Sequence, residues 1–161
     1  MNIENGGEMY EFDKVYSFDL TGWLNIGGWT KEEVDDLMLD GRFASHLLER
    51  QIPKWWPSLI HVKGCKAFDH KDKDSGAIRF DAKNLTKNGC KYMPSNMIGE
   101  GRTFDKEAFY EKAKDMNYIV CDIVDYPMVR VVFKCGATLL NQFPKGVISK
   151  VKGRKELFDG G

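Results

Sequence analysis

The chain has 161 residues, 42% apolar and 12% aromatic, enough for one domain with a real core and too apolar for a disordered chain. Its net charge is zero, but residues 1–40 set ten acidic side chains against Lys14 and Lys31 and carry −8, which leaves +8 on the remainder. No apolar run is long enough for a transmembrane helix, and the polar start Met1-Asn2-Ile3-Glu4-Asn5 is unlike a signal peptide, so a soluble cytoplasmic protein is the expectation.

The four cysteines, Cys65, Cys90, Cys121 and Cys135, form no CxxC pair and have no zinc-ligand spacing with His46, His61 or His70. Reduced thiols are expected. A basic body behind an acidic N-terminal segment suits a nucleic-acid partner.

In chain order, residues 1–28 hold short apolar pieces between Gly6-Gly7, Gly22 and Gly27-Gly28, compatible with a strand or hairpin. Thr30-Lys31-Glu32-Glu33 has the form of a capping box and predicts a helix from Lys31 to Leu39. A second helix is predicted from Arg42 to Ile52, ended by Pro53. Trp55-Trp56-Pro57 connects it to an extended stretch, Leu59 to Phe68. The polar turn Lys71–Gly76 then leads into a strand, Ala77 to Asn84, so the two stretches form a hairpin. A polar loop is expected from Leu85 to Thr103 and a helix from Phe104 to Asp115. Tyr118–Val124 and Met128–Lys134 are apolar and β-branched, as central strands are. The tail is basic, with Lys145, Lys150, Lys152, Arg154 and Lys155.

The strand Ala77-Ile78-Arg79-Phe80-Asp81-Ala82-Lys83 is the most informative segment. Alternation turns Ile78, Phe80 and Ala82 to one face and Arg79, Asp81 and Lys83 to the other. The hairpin brings a second carboxylate, Asp69, back beside Asp81. Asp72 and Asp74 sit in the same turn and compete for that role. Two adjacent carboxylates suit Mg²⁺, which takes few protein oxygens and keeps several waters. A neighbouring lysine can orient an attacking water and stabilise charge on a phosphate. The Ala82 carbonyl is a further oxygen within reach.

This pattern resembles the PD-(D/E)XK nuclease superfamily: Asp69, an eleven-residue gap, then Asp81-Ala82-Lys83. Phe68 stands where that signature has proline. The resemblance covers residues 42–135 and extends to a preceding helix with a glutamate, Glu49, and to a following helix and apolar strands. It implies an α/β fold of the restriction-endonuclease type, a mixed central sheet flanked by helices, in one nuclease domain over residues 1–161. It implies a Mg²⁺-dependent DNA endonuclease, with Mn²⁺ able to substitute, encoded by a bacterium or phage. Asp69, Asp81, Glu49 and the Ala82 carbonyl would hold the metal, and Lys83 would serve the water. Within the superfamily the chain is most similar to small type II restriction endonucleases. That implies contacts to double-stranded DNA from Asn84, Thr86, Lys87, Ser95, Asn96 and Arg102. It also implies a homodimer, with residues 1–40 as a candidate dimer element and residues 136–161 as a basic tail. A structure-specific or phage-type nuclease and a non-catalytic DNA-binding module are the alternatives.

Overall fold

The computed structural model describes residues 9–64 and 68–160, so Cys65 lies outside the described residues. Strand β1 (Val15–Asp19) buries alternate residues, Tyr16 and Phe18. Helix α1 (Lys31–Met38) starts as predicted. Thr30 Oγ1 accepts from the Glu33 N–H, and Glu33 Oε1 accepts from the Thr30 N–H. Helix α2 (Gly41–Trp55) is capped by Asp40 and buries Ala44, Leu48, Gln51, Ile52 and Trp55.

Helix α2 does not stop at Pro53 but continues to Trp55. Proline has no N–H for the carbonyl four residues back, here that of Glu49. The loss falls in the last turn, and His70 Nε2 takes up that carbonyl at 2.7 Å.

Strands β2 (Leu59–His61), β3 (His70–Asp72) and β4 (Arg79–Leu85) form an antiparallel meander. A single hairpin of Leu59–Phe68 with Ala77–Asn84 was expected. Instead β2 ends at His61, and β3, which starts one residue before the expected polar turn and runs into it, pairs with both neighbours. Polarity hid it. His70 and Asp72 are buried polar residues with partners: His70 at the Glu49 carbonyl, Asp72 accepting from Tyr10 Oη at 2.6 Å and from the N–H groups of Asp74 and Ser75.

The expected loop after β4 is also more ordered. Thr86 and Gly89 close a tight turn by reciprocal backbone bonds, and β5 (Cys90–Lys91) follows. A 3-10 turn spans Ser95–Met97. Helix α3 (Lys106–Ala113) carries the chain back so that β6 (Asn117–Asp122) runs parallel to β4. Strand β7 (Met128–Cys135) returns antiparallel.

The chain ends in a short helix α4 (Gly136–Gln142), strand β8 (Val147–Ile148) paired with β5, helix α5 (Lys150–Gly153) and a π-helical turn, Arg154–Phe158. The basic stretch is therefore no loose tail: Ile148, Leu157 and Phe158 are buried.

The architecture is mixed α/β. The main sheet has the order β1-β7-β6-β4-β3-β2. On one face Phe80, Ile119, Val131 and Phe133 pack with the apolar side of α2, including fully buried Trp55 and Trp56, which stack on and edge against Phe18. On the other, Tyr118, Val120 and Val132 pack with Phe109, Ala113 and Leu139 of α3 and α4. Among the described residues no helix is long and apolar enough to cross a membrane.

From residue 9 the acidic N-terminal segment belongs to this fold; β1 pairs with β7, and Asp13 meets Lys134 at 2.7 Å.

Asp122, at the end of β6, is 2% exposed and accepts from Arg130 and Arg154 and from the Val124 N–H. Replacing it with alanine takes one carboxylate from each of two guanidinium groups, which keep Asp159 and Asp125 and are still reached by solvent. The Asp122→Ala protein is expected to lose about 2 kcal/mol, read as a lower midpoint in urea unfolding. An unchanged midpoint refutes that role.

Candidate active site

Strand β3 pairs with β4 only as far as Phe80. There the two strands part. Asp69, just before β3, donates its N–H to the Phe80 carbonyl, and its Oδ2 accepts from the Ala82 N–H at 2.9 Å. Among the described residues no strand covers this edge of β4 beyond that point. N–H and C=O of one strand residue face the same edge, so the Ala82 carbonyl lies at the fork beside Asp69.

The bare edge opens a cleft of about 610 Å³. Because no strand closes it, groups from both faces of the sheet reach it. Glu49 and Ser45 come from α2, Asp69 and Ala82 from the fork, Lys83 from the opposite face, and Cys90 and Lys91 from β5. Arg42, Asn84, Asn88 and Ile98 complete most of the wall.

Glu49 is half-buried. Ser45 Oγ donates to its Oε1 at 3.3 Å, and His61 Nε2 lies 3.7 Å from its Oε2. Burial, then the Asp69 carboxylate, raise its pKa above the ordinary glutamate value. Burial and neighbouring Arg50 lower that of His61, so at neutral pH it meets Glu49 as a neutral ring. Asp69 accepts only the Ala82 bond among the hydrogen bonds of the described residues, which leaves Oδ1 for another partner.

Asp81 stands differently. It is 7% exposed and does not line the cleft. It lies on the α3 face of β4, where Lys112 Nζ approaches its Oδ2 at 3.5 Å. Burial raises its pKa, Lys83 and Lys112 pull it back, and Asp69 adds to the rise. Asp69 and Asp81 thus feel each other across the fork without sharing a wall. Asp72 is committed to Tyr10 and its own turn, and Asp74 is exposed on that turn.

Among the described residues, no three His, Cys, Asp or Glu side chains converge into a metal-binding group. The donors at the fork are nevertheless hard oxygens, two carboxylates with raised mutual repulsion and a backbone carbonyl. That set fits Mg²⁺, which is held by one or two carboxylates and keeps several waters; a many-ligand calcium cage would not fit. Cys90 lines the cleft too, but burial pushes its thiol up to about 12, so it is no nucleophile at neutral pH.

Among the described residues, Asn84 alone of the expected DNA contacts lines the cleft. It donates to the Gly41 carbonyl. Thr86 and exposed Lys87 line a neighbouring hollow with Asp36 and Asp40. Ser95 opens the 3-10 turn, with its side chain outside the described set; Asn96 is exposed beside it. Arg102 donates to the Ile98 carbonyl.

Sequence reasoning missed Arg42, Ser45, Lys91 and Lys112. Arg42, Ser45 and Glu49 stand at i, i+3 and i+7, one helical face, so a polar stripe was there to be read. Lys112 carries no local signal, since only the α3 crossover brings it to Asp81. Compared with protein families, with curated proteins and with solved structures, the chain gave no match.

Proposed function

We propose that this chain is a divalent-metal-dependent DNA endonuclease of the PD-(D/E)XK kind. One observation carries the reading. Asp69, Glu49, Ala82 and Lys83 line one cleft at the fork of β3 and β4. The order α2, β2–β3–β4, α3, β6 agrees with the helix, hairpin and helix–strand order of that superfamily.

Asp69, Glu49 and the Ala82 carbonyl would hold Mg²⁺, with Asp81 directly behind. A bound magnesium ion neutralises charge on the phosphate and acidifies a water molecule. Lys83 would orient the attacking water and stabilise the negative charge that builds on phosphorus-bound oxygen. Arg42 and Lys91 stand at the same cleft and supply cations for the phosphate backbone. Asn84, of the expected base-reading groups, is the one that lines the cleft. The finer reading is a type II restriction endonuclease acting as a homodimer, because two cuts at a palindrome need two sites related by a two-fold axis.

Plasmid and phage DNA incubated with the protein and Mg²⁺ test this. Cleavage that EDTA stops, and that Mn²⁺ supports, is the expected result. Discrete fragments favour a restriction enzyme, and cutting confined to branched or nicked DNA favours a structure-specific nuclease. A protein that cuts no DNA under any of these conditions refutes the proposal.

A further inference from the structure

Pro53 and His70 act on the same atom. The Glu49 carbonyl has no helical donor, because residue 53 is proline. His70, 0% exposed, places Nε2 2.7 Å from that oxygen. A carbonyl only accepts, so Nε2 carries the hydrogen and the ring is the Nε2–H tautomer. The other nitrogen, Nδ1, is buried without a partner. The ring therefore makes one bond and spends it on the backbone of a cleft residue. His70 directly follows Asp69 in the chain, so this bond ties Glu49 on α2 to the residue next to Asp69 at the fork.

A helix with an ordinary residue at 53 would satisfy Glu49 locally, without reference to the sheet. Proline leaves the carbonyl to a strand 21 residues away in sequence. The half-buried Glu49 and the fork are thus tied through the backbone, although their side chains share no hydrogen bond among the described residues.

We propose that His70 is a positioning residue that fixes the Glu49 and Asp69 carboxylates relative to each other and so sets the divalent-cation affinity of the cleft. This rests on the reading of the cleft as a cation site. Groups that orient metal ligands from behind are typically worth about 10–100-fold in affinity.

The test is calorimetric titration of the full chain with Mn²⁺ alone, without DNA. Asp69→Asn marks the binding that belongs to the cleft. His70→Gln keeps an N–H near the position of Nε2; His70→Leu fills similar space with no donor. The expected result is near-native affinity for His70→Gln and a loss of about 10–100-fold for His70→Leu, with both folded by circular dichroism. His70→Asn, polar but too short to reach, replaces the leucine variant if that one does not fold, and is expected to lose as much. Equal affinity of wild type and His70→Leu, or equal loss in the glutamine and leucine variants, overturns the role of the N–H donor. A wild type that binds no Mn²⁺ overturns the cation site itself, and this inference with it.

Discussion

Replacing Lys83 with alanine is expected to slow Mg²⁺-dependent DNA cleavage by about 10³-fold while leaving Mn²⁺ affinity near that of the wild type. The ammonium group cannot ligate a cation, so its loss removes water orientation and charge stabilisation without removing a ligand. Asp69→Asn is expected to do the reverse. Its amide oxygen can still accept from the Ala82 N–H, so the fork keeps its shape. The charge is gone, however, and cation binding and cleavage fall together. Single-turnover cleavage and metal titration on the same preparations separate the two. A Lys83→Ala protein that cuts as fast as the wild type, or an Asp69→Asn protein that binds Mn²⁺ normally, refutes the assignment.

The largest effect on stability is expected at Gly136. The first residue of α4 sits where a Cβ would lie 1.6 Å from the Ala113 carbonyl oxygen and 2.5 Å from that of Met116. Both are backbone atoms at the junction of α3 and β6, so no side-chain rotation clears them. The Gly136 N–H also donates to the Met116 carbonyl at 2.7 Å, which holds the two junctions together. Glycine is needed here for space. Overpacking typically costs about 1–3 kcal/mol; a clash with two carbonyls should exceed that, at about 4 kcal/mol or more. For a chain of this size the Gly136→Ala melting temperature should fall by roughly 10–15 °C. Gly76→Ala, where a Cβ meets nothing within 4 Å, is the control and should melt like the wild type. A Gly136→Ala protein within two or three degrees of native, by differential scanning calorimetry, refutes the packing argument.

Features specified by neighbours in sequence were legible. The Thr30–Glu33 box placed α1, and alternation along β4 assigned Phe80 and Ala82 to one face and Asp81 and Lys83 to the other. Features that depend on a distant partner were not. The far end of α2 could not be read past Pro53, because the group that compensates for the proline is a histidine on β3. Strand β3 does not read as a strand in the sequence because its buried residues are polar, and their partners, Tyr10 and Glu49, lie far off in the chain. The same limit applies at the site. Spacing put Asp69, Asp81 and Lys83 in one neighbourhood, but that Asp81 meets Lys112 and does not line the cleft depends on where α3 crosses the sheet.

The position of β1 carries a consequence for synthesis. Among the described residues its only strand partner in the sheet is β7, with Val15 opposite Val132. At ribosomal rates the partner emerges on the order of ten seconds after β1. Throughout that interval Tyr16 and Phe18, buried in the finished protein, have no sheet to join. The nascent chain thus carries β1 without its strand partner until β7 has been made. The acidic residues around it, Glu11, Asp13 and Asp19, give that waiting segment the like charge that keeps neighbouring nascent chains apart.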